Sequence, residues 1–195
     1  MSNLPSLRKQ LKQNRAAIGA VAREHASRRI VQRLERHLRY LKARRIAAYI
    51  GSNHEVDPMP LVHRASDLNK TFYLPVLHPF RHGRLLLCRW VPGESLKRNR
   101  FGIPEPIPTR DNILPVQHLD LVIMPLLGFD PTLNRLGMGG GFYDRSLAFR
   151  NRRTVTRRPF LLGLAFEVQR VDKLEPQPWD INVDTIITEA NVYER

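Results

Sequence analysis

The stretch Leu119-Asp120-Leu121-Val122-Ile123-Met124 is apolar at every position except Asp120. A run this short reads as a strand rather than a helix, and one buried on both faces of its sheet. Sheets with two buried faces are covered by helices on each side, with mainly parallel pairing. Working outward, Arg45–Ile50, Thr71–Leu77, Arg84–Trp90, Leu161–Phe166 and Asp184–Thr188 are further strand candidates. The first of them ends at a Gly51-Ser52-Asn53 turn, and a short helix is expected after Pro58 within Asp57–Lys70. Residues 91–117 carry Pro92, Pro104, Pro106, Pro108 and Pro115, and read as an extended surface loop without regular structure. A further helix is expected over Phe142–Arg153. The expected fold class is therefore α/β: one three-layer domain over residues 1–195, its mainly parallel open sheet flanked by helices.

The chain begins with two expected helices. One carries a stripe of Leu4, Leu7, Leu11, Ile18 and Val21, the other Ile30, Val31, Leu34, Leu38 and Leu41. The net charge of +14 is concentrated there: residues 1–45 hold 13 Lys or Arg against Glu24 and Glu35, and the other 150 residues come to only +3. A nearly neutral body and a single aromatic, Tyr40, among those first 45 residues argue against a nucleic-acid-binding module. An Arg-rich, acid-poor start also has the composition of a mitochondrial transit peptide, although it is poor in serine. The lone Cys88 excludes an intrachain disulfide, and no stretch approaches the roughly 18 apolar residues of a membrane span. A soluble cytoplasmic protein is expected. Cys88, Trp90 and Trp179 read as packing residues, and the seven histidines are not read as a zinc site.

In parallel sheets ligands gather beyond the carboxyl ends of the strands, so the loops after Ile50, Met124 and Phe166 are where chemistry is expected. The loop after Met124 contains Asn134-Arg135-Leu136-Gly137-Met138-Gly139-Gly140-Gly141-Phe142-Tyr143-Asp144-Arg145. Four of the chain's 11 glycines fall within five residues here. Such a backbone can turn its N–H groups toward phosphate oxygens, with Arg135 and Arg145 as flanking positive charges. It lacks the Gly-Lys-Ser/Thr ending of a Walker loop and the spacing of a dinucleotide fingerprint. Asp144 has two readings, a carboxylate that complements the helix dipole or an Mg²⁺ ligand beside a polyphosphate.

Arg-Leu-Gly-x-Gly-x-Gly-Phe-Tyr-Asp, preceded by an apolar strand and Pro125-x-x-x-Phe129-Asp130, resembles the 5-formyltetrahydrofolate cyclo-ligase family, also called methenyltetrahydrofolate synthetases. Glu55-Val56-Asp57, Tyr73-Leu74-Pro75, Gly102-Ile103 with Glu105-Pro106, Leu162–Phe166 and Trp179-Asp180 to Asp184 follow in the same order, so the resemblance spans roughly residues 4–189. It implies an ATP- and Mg²⁺-dependent enzyme that converts 5-formyltetrahydrofolate to 5,10-methenyltetrahydrofolate, with or without a polyglutamate tail, and releases ADP and phosphate. Phosphorylation of the formyl oxygen would make a leaving group, a step that asks for positioning and charge neutralisation.

By position, the resemblance assigns ATP binding to Arg8, Arg135, Leu136, Gly137, Met138, Gly139, Gly140, Gly141, Phe142 and Tyr143. Ile50, Glu55 and Phe101 would bind the folate, joined by Met138 through Phe142. Arg135, Tyr143 and Asp144 would be catalytic, and Asp144 with Asp184 would hold the metal. The chain departs from the family pattern at Leu4, where a lysine four residues before Arg8 is usual, and at Met138 and Phe142, where Arg or Tyr often stand.

Overall fold

The computed structural model of the protein describes residues 4–52, 54–64, 68–152 and 158–194, so Asn53, residues 65–67 and Arg153 of the expected elements lie outside the described residues. Its centre is an eight-stranded sheet. The strands in chain order are β1 (Arg45–Ala47), β2 (Thr71–Leu77), β3 (Leu85–Arg89), β6 (Ile113–Leu114), β7 (Leu121–Pro125), β10 (Phe160–Leu164), β11 (Thr185–Ile187) and β12 (Val192–Glu194). Across the sheet they run β12-β11-β10-β7-β1-β2-β3-β6. The middle five, β11 to β2, pair in parallel, while β12, β3 and β6 add antiparallel edges.

The expected two-faced burial of β7 holds. Leu121 and Ile123 face one core and Val122 and Met124 the other, as the period-2 geometry of a strand requires. The strand starts two residues later than its apolar run suggested. Asp120 is occupied at the strand's foot, accepting from the Arg44 and Arg45 amides at 3.1 and 2.9 Å. Burial pushes the Asp120 carboxyl up, but these bonds and the neighbouring Arg45 and Arg158 charges outweigh it and hold the group below its ordinary value.

Helices α1 (Leu4–Ala16), α2 (Ala20–Arg36), α3 (Leu38–Lys42), α4 (Met59–His63) and α5 (Phe142–Leu147) cover the sheet. α2 buries Ile30, Val31 and Leu34 with Leu61 and Val62 of α4 on the Ile46–Phe72–Leu121 face. Truncating a side chain as enclosed as Leu34 to Ala would cost about 2–5 kcal/mol. The opposite face is closed by Leu133, Leu147 and Ile181. The two expected N-terminal helices are three, because His37 adopts an extended conformation and its side chain caps α3 through the Arg39 amide. That break turns the second stripe: Tyr40 is buried while Leu38 and Leu41 are exposed, as is Val21 of the first.

Two further expectations are corrected. The Pro-rich span 91–117 is not structureless: Leu96–Arg98 (β4) and Pro104–Pro106 (β5) form a hairpin, β6 joins the sheet, and Val116–His118 makes a 3-10 turn. Proline is tolerated because these are short edge pairs with few ladder bonds to lose. The helix expected over 142–153 keeps α geometry for six residues and then tightens into a 3-10 turn over Ala148–Arg152. Cys88 and Trp90 are buried as expected, the thiol pushed up to about 11 by burial and by Glu105, whereas Trp179 is 66% exposed. No helix among the described residues is long and apolar enough to cross a membrane.

Candidate active site

A cleft of about 460 Å³ opens at the carboxyl ends of β1, β2 and β7. Its floor is Tyr49, Ile50, Leu74 and Pro75; Pro125 to Leu127, Arg135, Gly137, Met138 and residues 140–144 line one wall, and the β4–β5 hairpin with Asn99, Phe101 and Glu105 forms the other. The hairpin is tied down by Glu105, which accepts from the Leu77 amide at 3.1 Å and from Asn99 Nδ2 at 3.0 Å. Its tip reaches across the cleft, where Phe101 meets Phe142 edge-on at 6.0 Å.

The glycine wall is built from below. Strands β8 (Gly128–Phe129) and β9 (Arg135–Leu136) form a hairpin whose turn is organised by Asp130. That buried carboxylate accepts from the Thr132, Asn134 and Leu174 amides, the Thr132 hydroxyl and Asn134 Nδ2, all at 2.8–3.1 Å. Leu136 then points inward against Leu11, Leu127 and Leu174, which pins the start of the loop. Beyond it Gly139 and Gly141 take φ of +100° and +63°, a left-handed backbone that other residues rarely adopt. Gly141 thereby caps α5. From outside, Arg8 Nε donates to the Gly137 carbonyl at 3.1 Å, and Arg145 donates to the carbonyls of Gly83 and Gly140.

Arg135 and Asp144 face each other on the cleft wall. The buried guanidinium pairs with Asp144, and its Nε donates to the Ile181 carbonyl at 2.9 Å. Asp144 Oδ1 also accepts from the Ile181 amide at 3.1 Å. Across from them, Glu55 accepts from Arg15 Nη1 at 3.2 Å and from the Ser52 amide at 2.8 Å. Burial, reinforced by the Glu55 charge, drives both the Tyr49 and Tyr143 hydroxyls to far higher pKa, so each stays a neutral O–H. Tyr49 donates its proton to the Val56 carbonyl at 2.7 Å, which fixes the Glu55 turn.

Of the residues singled out by resemblance, Ile50, Glu55, Phe101, Arg135, Gly137, Met138, Gly140, Gly141, Phe142, Tyr143 and Asp144 line this one cleft. Arg8, Leu136 and Gly139 do not line it but hold or belong to its glycine wall. Leu4 packs with Leu11 and Leu136 beneath that wall, an apolar anchor in place of a charge. Asp184 is not brought to the site. It precedes β11, at the opposite end of the parallel strands, and its carboxylate is engaged by Arg150 at 2.8 and 3.1 Å and by the Leu161 amide at 2.8 Å. Tyr49, Asn99, Glu105 and Arg15 shape the site without having been singled out as site residues. Two of them carried a signal: Arg15 stands seven residues after Arg8 and so on the same face of the helix, and Glu105 belongs to the Glu105-Pro106 piece of the resemblance.

The glycine wall suits an anion in charge, since the guanidinium groups of Arg8, Arg135 and Arg145 lie on or against it. The carboxylates do not form a metal cage: among the described residues no three His, Cys, Asp or Glu side chains are grouped for one. With Asp184 at the far end of the strands, Asp144 is the one acid of the expected metal pair that lines the cleft.

The model of the 5-formyltetrahydrofolate cyclo-ligase family matches residues 1–189. A 5-formyltetrahydrofolate cyclo-ligase of Haemophilus influenzae is 36% identical over 182 residues, covering 93% of this chain and 95% of the relative. That of Escherichia coli K12 is 35% identical over 184 residues, covering 94% and 99%. The solution structure of Aquifex aeolicus 5,10-methenyltetrahydrofolate synthetase superposes with a TM-score of 0.80 at 28% identity, covering 98% of this chain and 92% of that one. A match over nearly the whole length, in sequence and in fold, places the chain in the 5-formyltetrahydrofolate cyclo-ligase family.

Proposed function

We propose that the protein is an ATP-dependent ligase that closes 5-formyltetrahydrofolate to 5,10-methenyltetrahydrofolate, with MgATP as co-substrate and ADP and phosphate as products. The observation that carries this reading is the shared cleft, in which an anion-accepting glycine loop and the carboxylate of Glu55 face a common apolar space. A pterin presents an amino-pyrimidinone edge of adjacent N–H donors, which a carboxylate accepts well. Its flat pyrimidinone ring suits the apolar floor and the edge of Phe101.

The chemistry follows from the leaving group. The formyl oxygen on nitrogen-5 is amide-like and leaves poorly. Transfer of the terminal phosphoryl group of ATP to that oxygen converts it into a phosphate ester. Nitrogen-10 then attacks the formyl carbon, loses its proton, and phosphate departs with the oxygen as the C=N⁺ bond forms. The protein's share is to hold both substrates in line and to neutralise charge. Loop amides and Arg8 would meet the phosphates, the neutral Tyr143 hydroxyl and the Arg135 guanidinium would serve the transferring group, and Asp144 would keep Arg135 oriented. Helix-borne positive charge around the cleft suits an anionic folate tail, and a cytoplasmic location matches these substrates.

The test is product absorbance. Purified protein with 5-formyltetrahydrofolate, ATP and Mg²⁺ is expected to form the methenyl chromophore, with ADP released in equal amount and neither product formed without ATP. No absorbance change under those conditions would overturn the proposal.

A further inference from the structure

An enclosed carboxylate of the cleft is compensated from outside its wall. Glu55, whose side chain is only 11% exposed, has one cationic partner among the described residues, Arg15, whose side chain is 7% exposed. Their contact is a single hydrogen bond of 3.2 Å from Nη1, not a bidentate fork, and Arg15 Nε is buried with no hydrogen-bond partner among the described residues. An arginine that leaves a buried donor unpaired is not placed there for the stability of its own helix, because such a group costs about 1–3 kcal/mol. Arg15 sits in the last turn of α1, seven residues after Arg8, so the two project from one face two turns apart. Arg8 reaches the glycine loop and Arg15 reaches Glu55, and Leu11 between them is packed beneath the loop.

We propose that Arg15 is a positioning residue for the folate. Its guanidinium holds the Glu55 carboxylate at the angle from which it accepts the pterin's N–H donors, while the Ser52 amide holds the other oxygen. This rests on the folate reading of the cleft given above. Without Arg15 the carboxylate keeps only the Ser52 bond and loses its counter-charge, so it swings or is paired by water, and the pterin loses a pre-set acceptor.

The experiment is a double-mutant cycle of Arg15→Gln and Glu55→Gln, read by calorimetric binding of 5-formyltetrahydrofolate, by the KM for ATP and by thermal melting. Arg15→Gln is expected to weaken folate binding about tenfold or more and to leave the ATP KM within about twofold. In the Glu55→Gln background the same change should add less than about twofold, because Arg15 acts through Glu55. Arg15→Lys, which keeps the charge without the planar fork, should lose only severalfold. Should Arg15→Gln fail to fold, Arg15→Lys carries the cycle, with a severalfold loss that disappears beside Glu55→Gln. A melting loss with folate and ATP weakened alike, additive effects of the two substitutions, or wild-type folate binding in the variants would overturn the inference and leave the folate reading standing. Failure of the wild type to bind the folate would overturn both.

Discussion

Arg8 and Gly137 are 129 positions apart in the chain, yet the arginine's Nε lies 3.1 Å from the glycine's carbonyl oxygen. The first helix therefore braces the glycine loop and keeps a guanidinium beside its amides. A hydrogen bond from a charged donor contributes about 1.5–3 kcal/mol. Arg8→Gln is expected to raise the KM for ATP about tenfold with a small effect on the KM for the folate. Steady-state kinetics with each substrate varied in turn checks this.

Gly139 holds φ at +100°, and the space around it is open except for the Arg8 guanidinium at 3.8 Å from where a Cβ would stand. Gly139→Ala thus suffers from backbone conformation more than from crowding, at about 1–2 kcal/mol. The loop would relieve that strain by turning its amides. The expected result is a sharp rise in the ATP requirement with a melting temperature lowered by only a few degrees, measured by kinetics and calorimetry on the same preparation.

Asp130 governs the pH dependence of stability at the β8–β9 hairpin. Burial pushes its carboxyl up, but hydrogen bonds from Leu174, Asn134 and Thr132 outweigh that and hold it below its ordinary value. Its contribution is therefore present above the unfolded-chain value, near about 4, and is lost as pH falls through the lower native value. Asp130→Asn should destabilise the protein by about 1–3 kcal/mol at neutral pH. Urea titrations from neutral pH downward should show the gap to wild type closing below about pH 4.

Phe101 is 57% exposed and touches Phe142 across the mouth of the cleft. Such an aromatic pair contributes about 0.5–1.5 kcal/mol beyond its buried area. Phe101→Ala is expected to weaken folate binding by roughly threefold to tenfold without lowering the melting temperature, since the ring anchors no core. Fluorescence or calorimetric titration with the folate decides it.

The layered fold was legible because buried parallel strands leave a local trace: β2 spans Thr71–Leu77 as expected, and β7 keeps the apolar run from Leu121 onward, without Leu119 and Asp120. Edge strands leave none. β6 is two residues long and β12 ends a polar tail, so neither carries an apolar run, and the β4–β5 hairpin is hidden among prolines. The glycine wall was readable because its chemistry is contiguous in sequence. Asp184 misled for the opposite reason: resemblance gives order along the chain, not which end of a strand a residue occupies. Arg15 and Glu105 act through partners 40 and 28 positions away, so helical spacing and motif order can point to the residues but not to the contacts they make.

The most direct test is a crystal structure with a non-hydrolysable ATP analogue and 5-formyltetrahydrofolate bound together. The phosphates are expected against the amides of residues 137–142 and beside Arg8, with the pterin edge on Glu55 and the formyl oxygen facing the terminal phosphate. A nucleotide seated away from the glycine loop, or a folate that leaves Glu55 uncontacted, would contradict a single cleft built to join the two.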